Sequence, residues 1–181
     1  MSTLQTDVLI IGAGPVGTTL ALCLAQRGVR CIVAERKPPD APHDIKCNHV
    51  SARSMELYRQ LGVANALRAG GLPDTYPHDV SYRTSTVGRE ITRICIPGRA
   101  TRLTDTSGPD GWWPTPEPPH RINQRYLEPI LLDHARQQAN IQFLHGHELI
   151  EYTQDAHAVQ ARLHRAADDT VVRIEARYLA G

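Results

Sequence analysis

The stretch "DVLIIGAGPVGTTLALCLAQRGVRCIVAERK", residues 7–37, decides the fold. Residues 8–11 are a continuous apolar run, the pattern of a strand buried on both faces in a parallel sheet. The run passes directly into Gly12, Ala13, Gly14, Pro15, Val16 and Gly17, which fit G-x-G-x-x-G. Gly12 permits the tight turn out of the strand. Gly14 lets a pyrophosphate approach the backbone, and Gly17 lets the following helix lie close to the strand. That helix is expected to run to Arg27, with Leu20, Leu24 and Ala25 at helical spacing and Gly28 as its stop. Its first turn offers free N–H groups and a partial positive charge to phosphates. A second buried strand, residues 31–34, ends at Glu35, an acid placed to accept hydrogen bonds from ribose hydroxyls. A glycine motif alone is weak. With a strand before it, a helix after it and an acid ending strand two, it specifies a dinucleotide, FAD or NAD.

Composition sets the outer limits. The 181 residues suit one domain or part of a larger protein, and 41% apolar content is enough for a packed core. A net charge of +1 without a long basic run argues against a nucleic-acid surface, and 5% aromatic content argues against base-stacking platforms. Cys23, Cys31, Cys47 and Cys95 form no C-x-x-C pair and read as buried, reduced thiols of a cytoplasmic protein. No basic leader precedes the first apolar run, and no stretch has the length to span a membrane, so no membrane partner is expected.

Two further segments carry a pattern. In "KCNHVSARSMELYRQLGV", residues 46–63, Met55, Leu57, Tyr58 and Leu61 have helical spacing and Gly62 ends the run. In "INQRYLEPILLDHA", which begins at Ile122, the side chains of Leu127, Ile130, Leu131 and Ala135 fall on one helix face. Asn123 or Gln124 is placed to begin the helix, but Pro129 is awkward there, so the helix either starts near Tyr126 or kinks.

Together with the glycine segment, these two stretches resemble the N-terminal part of the class A flavoprotein monooxygenases, the FAD-dependent phenol and aromatic-polyketide hydroxylases. The resemblance covers most of the chain and is weakest over residues 76–119. It implies a Rossmann-like α/β FAD-binding domain, incomplete in these residues, with a small antiparallel β-meander and a β-rich excursion towards a substrate domain. Residues 1–75 would form its first part, 76–120 the excursion, and 121–181 its second part.

For the cofactor, the resemblance implies FAD on Gly12, Gly14, Pro15, Gly17, Glu35 and Arg36, with Lys46 near the pyrophosphate and Gln124 near the ribityl chain. Lys46 stands where the family commonly has arginine, so the charge is kept and the bidentate fork lost. Arg53 matches the family's R-T-M-E arginine, with Ser54 replacing its threonine; it holds the loop, faces the cofactor or is a solvated charge at the helix N-terminus. NADPH or NADH would reduce the flavin, and an aromatic substrate and O₂ would complete the reaction. A stand-alone nucleotide-binding module, a nicotinamide-dependent dehydrogenase, a flavin halogenase and a prenyl-lipid reductase stay open as alternatives.

The middle of the chain reads as short strands, residues 80–83 and 91–96, followed by the proline-rich "SGPDGWWPTPEPPH". Trp112 and Trp113 there would line a substrate pocket or simply pack. His145 and His147 would share a strand face and bind a metal only with a third ligand, which the sequence does not offer. From Ile141 the periodicity is two, and "RAADDT" at Arg165 reads as the turn before the last strand. The chain stops at "RYLAG", where the resembling family continues into an Asp-Gly motif and later a Gly-Asp motif. A fragment inactive by itself is therefore expected, with Val172 and Leu179 left exposed.

Overall fold

In a computed structural model, residues 3–105 and 116–181 are described. They fall into two compact units, Met1–His43 with Glu128–Gly181, and Asp44–Leu127. Trp112 and Trp113 lie outside the described residues.

The first unit is built on a six-stranded sheet. Its strands are β1 (Thr3–Ile11), β2 (Cys31–Glu35), β5 (Ile141–His145), β6 (His147–Gln154), β7 (Val159–Arg165) and β8 (Thr170–Ala180), in the order β5-β2-β1-β8-β7-β6. β5, β2, β1 and β8 are parallel neighbours, whereas β6, β7 and β8 form an antiparallel meander. The last strand therefore does two jobs. It closes the meander and pairs in parallel with β1 from Thr3↔Arg173 to Ile10↔Ala180. Pairing with β8 also extends β1 to Thr3, well before the apolar run that marks it in the sequence.

Alternation along these strands sorts the core. Leu9, Ile32, Ala34, Ala161, Leu163, Ile174 and Ala176 form one buried cluster on the sheet. Val172 and Leu179 pack against it half-buried, contrary to the exposure expected for them, because β8 lies between β1 and β7 and not at an edge. Each fully buried Leu or Ile contributes roughly 1.5–3 kcal/mol. β6 is the meander's edge, and six of its eight residues are exposed, which is why no two-residue period marks it in the sequence.

Helix α1 (Pro15–Ala25) buries Thr18, Ala21, Leu22 and Ala25, a face of mostly small side chains; Leu20 and Leu24 are only half-buried. It ends earlier than the spacing suggests. Gly28 at φ +77° donates to Ala25 O at 2.9 Å and Val29 donates to Leu24 O at 3.1 Å, a left-handed glycine stop. His145 and His147 do not share a strand face. Gly146, at φ +69°, separates β5 from β6 and turns the chain between them.

The second unit holds α2 (Ala52–Gln60), α3 (Ala64–Gly70) and a hairpin of β3 (Val80–Arg83) with β4 (Glu90–Ile94). Ser51 caps α2 by accepting from Ser54 N at 3.2 Å, and Gly62 at φ +80° ends it. Met55, Tyr58, Leu61, Val63, Leu67 and Ile122 are among the buried apolar groups of this unit's interior. Helix α4 (Gln124–Arg136) begins at Gln124, one of the starts the sequence offers, and carries Pro129 inside it. Asn123 starts it, accepting from Arg125 N through its side chain at 3.1 Å and from Tyr126 N and Leu127 N through its carbonyl. Of the four cysteines, none paired, only Cys31 is buried and Cys23 half-buried; Cys47 and Cys95 are exposed, because their segments lie outside the apolar runs.

Candidate functional site

The glycine turn is fixed by main-chain geometry. Gly12 N donates to Ala34 O at 2.7 Å, tying the turn to β2, and Gly12 adopts φ +105°. Thr18 Oγ1 closes the turn from the helix side by donating to Ala13 O at 3.0 Å. Gly17 and Gly14 are glycines for different reasons. A Cβ at Gly17 would lie 2.0 Å from Gly12 O and 3.3 Å from Ile10 Cγ2, so its absence lets α1 approach the sheet. A Cβ at Gly14 would meet one atom only, Glu128 Oε1 at 4.0 Å. The fold leaves space beside Gly14 that it does not itself use.

That space adjoins a helix start suited to an anion. α1 has Pro15 in its first turn, no side-chain cap and no acidic residue there. Its first amides have no helical acceptor and carry the positive end of the helix dipole.

Glu35 closes the other side of the turn. Its Oε2 accepts from Ala13 N and its Oε1 from Lys37 N, each at 2.9 Å. The acid thus holds the turn in shape, a role the sequence spacing does not reveal. A carboxylate offers about four acceptor positions, so two bonds leave capacity for ribose hydroxyls. Arg36, next in the chain, is exposed.

The remaining expected residues belong to the second unit. Gln124 is 8% exposed and grips Cys47 at two points: its N donates to Cys47 O at 2.7 Å, and its Oε1 accepts from Cys47 N at 3.2 Å. This brings the Lys46 loop and Gln124 together. Lys46 itself extends outward with 81% of its side chain exposed, and its Nζ lies 3.5 Å from Asp44 Oδ2. Arg53 is 86% exposed, and its Nη1 lies 3.3 Å from Glu56 Oε2.

Two residues escape the sequence reading. Glu128 is buried in the first unit, and its Oε2 lies 2.8 Å from His43 Nδ1. Its place beside Gly14 could be read only from the fold, since 114 residues of sequence separate Gly14 from Glu128. Among the described residues no cluster of three or more His, Cys, Asp or Glu has metal-site geometry. His145 stacks on Phe143 with ring centroids 5.8 Å apart, and burial lowers its pKa.

The sequence matches the family described as "FAD binding domain" over residues 5–181. The chain belongs to that family. As a FAD-binding domain it is similar to 2,4-dichlorophenol 6-monooxygenase of Cupriavidus pinatubonensis, 30% identical over 99% of this chain and 29% of that protein. It is also similar to aklavinone 12-hydroxylase RdmE of Streptomyces purpurascens, 35% identical over 98% of this chain and 32% of that protein. Among solved structures, the rebeccamycin biosynthetic enzyme RebC with reduced flavin superposes with a TM-score of 0.81 at 32% identity, over 98% of this chain and 32% of that one. The flavin-dependent monooxygenase PieE in complex with FAD and substrate gives a TM-score of 0.84 at 26% identity, over 99% of this chain and 30% of that one. The FAD-binding domain thus spans about a third of the length of these proteins. Among the described residues, no helix is long and apolar enough to cross a membrane.

Proposed function

We propose that this chain holds FAD on Gly12, Gly14, Pro15 and Gly17, with Glu35 on the ribose, and that Arg36, Lys46 and Gln124 complete the cofactor contacts. We further propose that the whole protein is an NAD(P)H-dependent monooxygenase hydroxylating a phenolic or polyketide aromatic ring with O₂. When bound, FAD supplies the redox chemistry, taking reducing equivalents from the nicotinamide and activating oxygen. The chain's own residues bind and orient. Gly14 gives backbone access, the first turn of α1 supplies N–H donors, and Glu35 keeps the turn open while accepting from hydroxyls.

One observation carries the cofactor reading: the space beside Gly14 at an uncapped helix start, which packing of the protein does not require. The hydroxylase reading is supported by the monooxygenase and hydroxylase relatives. The unpaired cysteines support a reducing, cytoplasmic setting. The test is Gly14→Val. The variant is expected to fold, since its backbone at φ −70° suits any residue, yet to lose FAD on desalting. Visible flavin absorbance retained at the wild-type level would falsify the assigned turn.

A further inference from the structure

The second unit contains a cavity of about 560 Å³, within the roughly 300–1,000 Å³ range of small-molecule sites. Leu72, Tyr76 and Tyr126 are on its wall, each 41–54% exposed, and the exposed Arg125 guanidinium lies 5.3 Å from the centroid of the Tyr126 ring. A lining with two aromatic side chains and an aliphatic one suits a flat ring.

The charges on the wall are unequally matched. Arg93 is saturated: its guanidinium contacts Asp79 at 3.0 Å and Glu90 at 2.7 Å, and Asp79 in turn accepts from Ile96 N at 2.8 Å. Arg121 is not. Its Nη2 donates to the neutral carbonyl of His78 at 3.2 Å, and among the described residues no carboxylate pairs with it. A guanidinium has five donor hydrogens in a planar fork, so most of its capacity remains unused. His78 adds no charge near neutral pH, because burial, and next the adjacent Arg121, lower its pKa to about 4. The wall therefore carries one uncompensated positive charge beside ring-sized apolar surface.

We propose that this cavity takes an aromatic ring bearing a carboxylate, and that Arg121 is the specificity-determining residue that holds the charge. The proposal rests on the hydroxylase reading and narrows it, from aromatic substrates in general to acidic ones. A planar oxyanion accepts two parallel bonds from a guanidinium, and partial burial strengthens the pair over its value in open water.

Benzoate and benzamide match in shape and differ in charge, which makes them the probes. Each is titrated into the 181-residue chain and followed by NMR shifts of the Tyr76 and Tyr126 rings. Benzoate should bind about tenfold tighter than benzamide, the scale of one charge-assisted contact. Arg121→Gln should abolish the preference and Arg121→Lys should restore part of it, while thermal unfolding of each variant reports whether the unit stays folded. Equal binding of the two probes overturns the proposal, as does a preference that survives in a folded Arg121→Gln. Saturating FAD that displaces benzoate competitively also overturns it, because the cavity would then be flavin space. FAD failing to bind while the Arg121-dependent preference persists supports the ring site and sinks the cofactor reading instead.

Discussion

In the first unit the glycine turn is held at three points, one of them main chain to main chain and two through side chains. Gly12 N reaches Ala34 O, Thr18 Oγ1 reaches Ala13 O, and Ala13 N reaches the Glu35 carboxylate. In the second unit the Lys46 loop is held at Cys47 by one main-chain and one side-chain bond to Gln124, 77 residues away, while Lys46 itself points into solvent. A ligand meeting the first segment finds a surface already formed. A ligand meeting the second must draw an exposed, flexible cation into place and order it. Affinity should therefore be concentrated in the glycine turn, and the Lys46 loop should contribute little.

The sharpest way to break this comparison lies within the turn itself. Gly17→Ala and Gly14→Ala add the same methyl group. At Gly17 it arrives 2.0 Å from a backbone oxygen, and neither the turn nor the helix has a soft neighbour to move. The cost should exceed about 3 kcal/mol, because the overpacked atom is backbone. At Gly14 the methyl has open space, and stability should change by less than about 1 kcal/mol. FAD affinity should fall nonetheless. Urea unfolding followed by circular dichroism, with FAD titration of the folded variant, measures both. Equal destabilisation by the two substitutions would mean that the turn does not divide its glycines between fold and ligand.

Glu35→Ala comes next. It removes the acceptor for Ala13 N and Lys37 N as well as the carboxylate offered to ribose. FAD binding should weaken by about 1–3 kcal/mol, the range of charge-assisted hydrogen bonds. Glu35→Gln separates the two roles. It keeps one oxygen for Ala13 N and gives up the charge. A Gln variant that unfolds like wild type but binds FAD as poorly as the Ala variant would assign the loss to the ligand. Wild-type affinity in both would leave Glu35 a purely structural residue.

What the sequence revealed follows the same division. β1, α1 and β2 could be read because their constraints are local: buried runs, three glycines and an acid within 31 residues. The start of β1 and the double pairing of β8 could not, because Thr3 is strand only through Arg173, far along the chain. β6 was hidden by its exposed edge, and the break at Gly146 by the freedom of glycine to leave an alternating pattern. At the site, the positions of Gly14 and Glu35 were legible, but Glu35's grip on Ala13 was not. Glu128 and His43 were invisible as a pair, since nothing local marks a carboxylate on α4 as a neighbour of the turn.

The smallest effect should come from Lys46. Its ammonium is exposed and already spends part of its field on Asp44 at 3.5 Å. An exposed pair of this kind is worth little, so Lys46→Ala should lower FAD affinity less than about fivefold at physiological salt. Screening makes the effect salt-dependent: with a Debye length of about 8 Å at 0.15 M, the loss should grow as salt is removed. Lys46→Arg restores the two-pronged geometry and should bind FAD at least as well as wild type. Asp44→Asn tests the competition directly. Removing the rival anion frees Lys46 for the pyrophosphate, so affinity should rise, and the rise should vanish in the Lys46→Ala background. FAD titrations at low and physiological salt across these four proteins decide the matter. Equal affinity of wild type and Lys46→Ala at low salt would remove Lys46 from the cofactor contacts. A loss there as large as that of Glu35→Ala would mean that the loop closes firmly on the ligand, and the contrast between the two segments would fail.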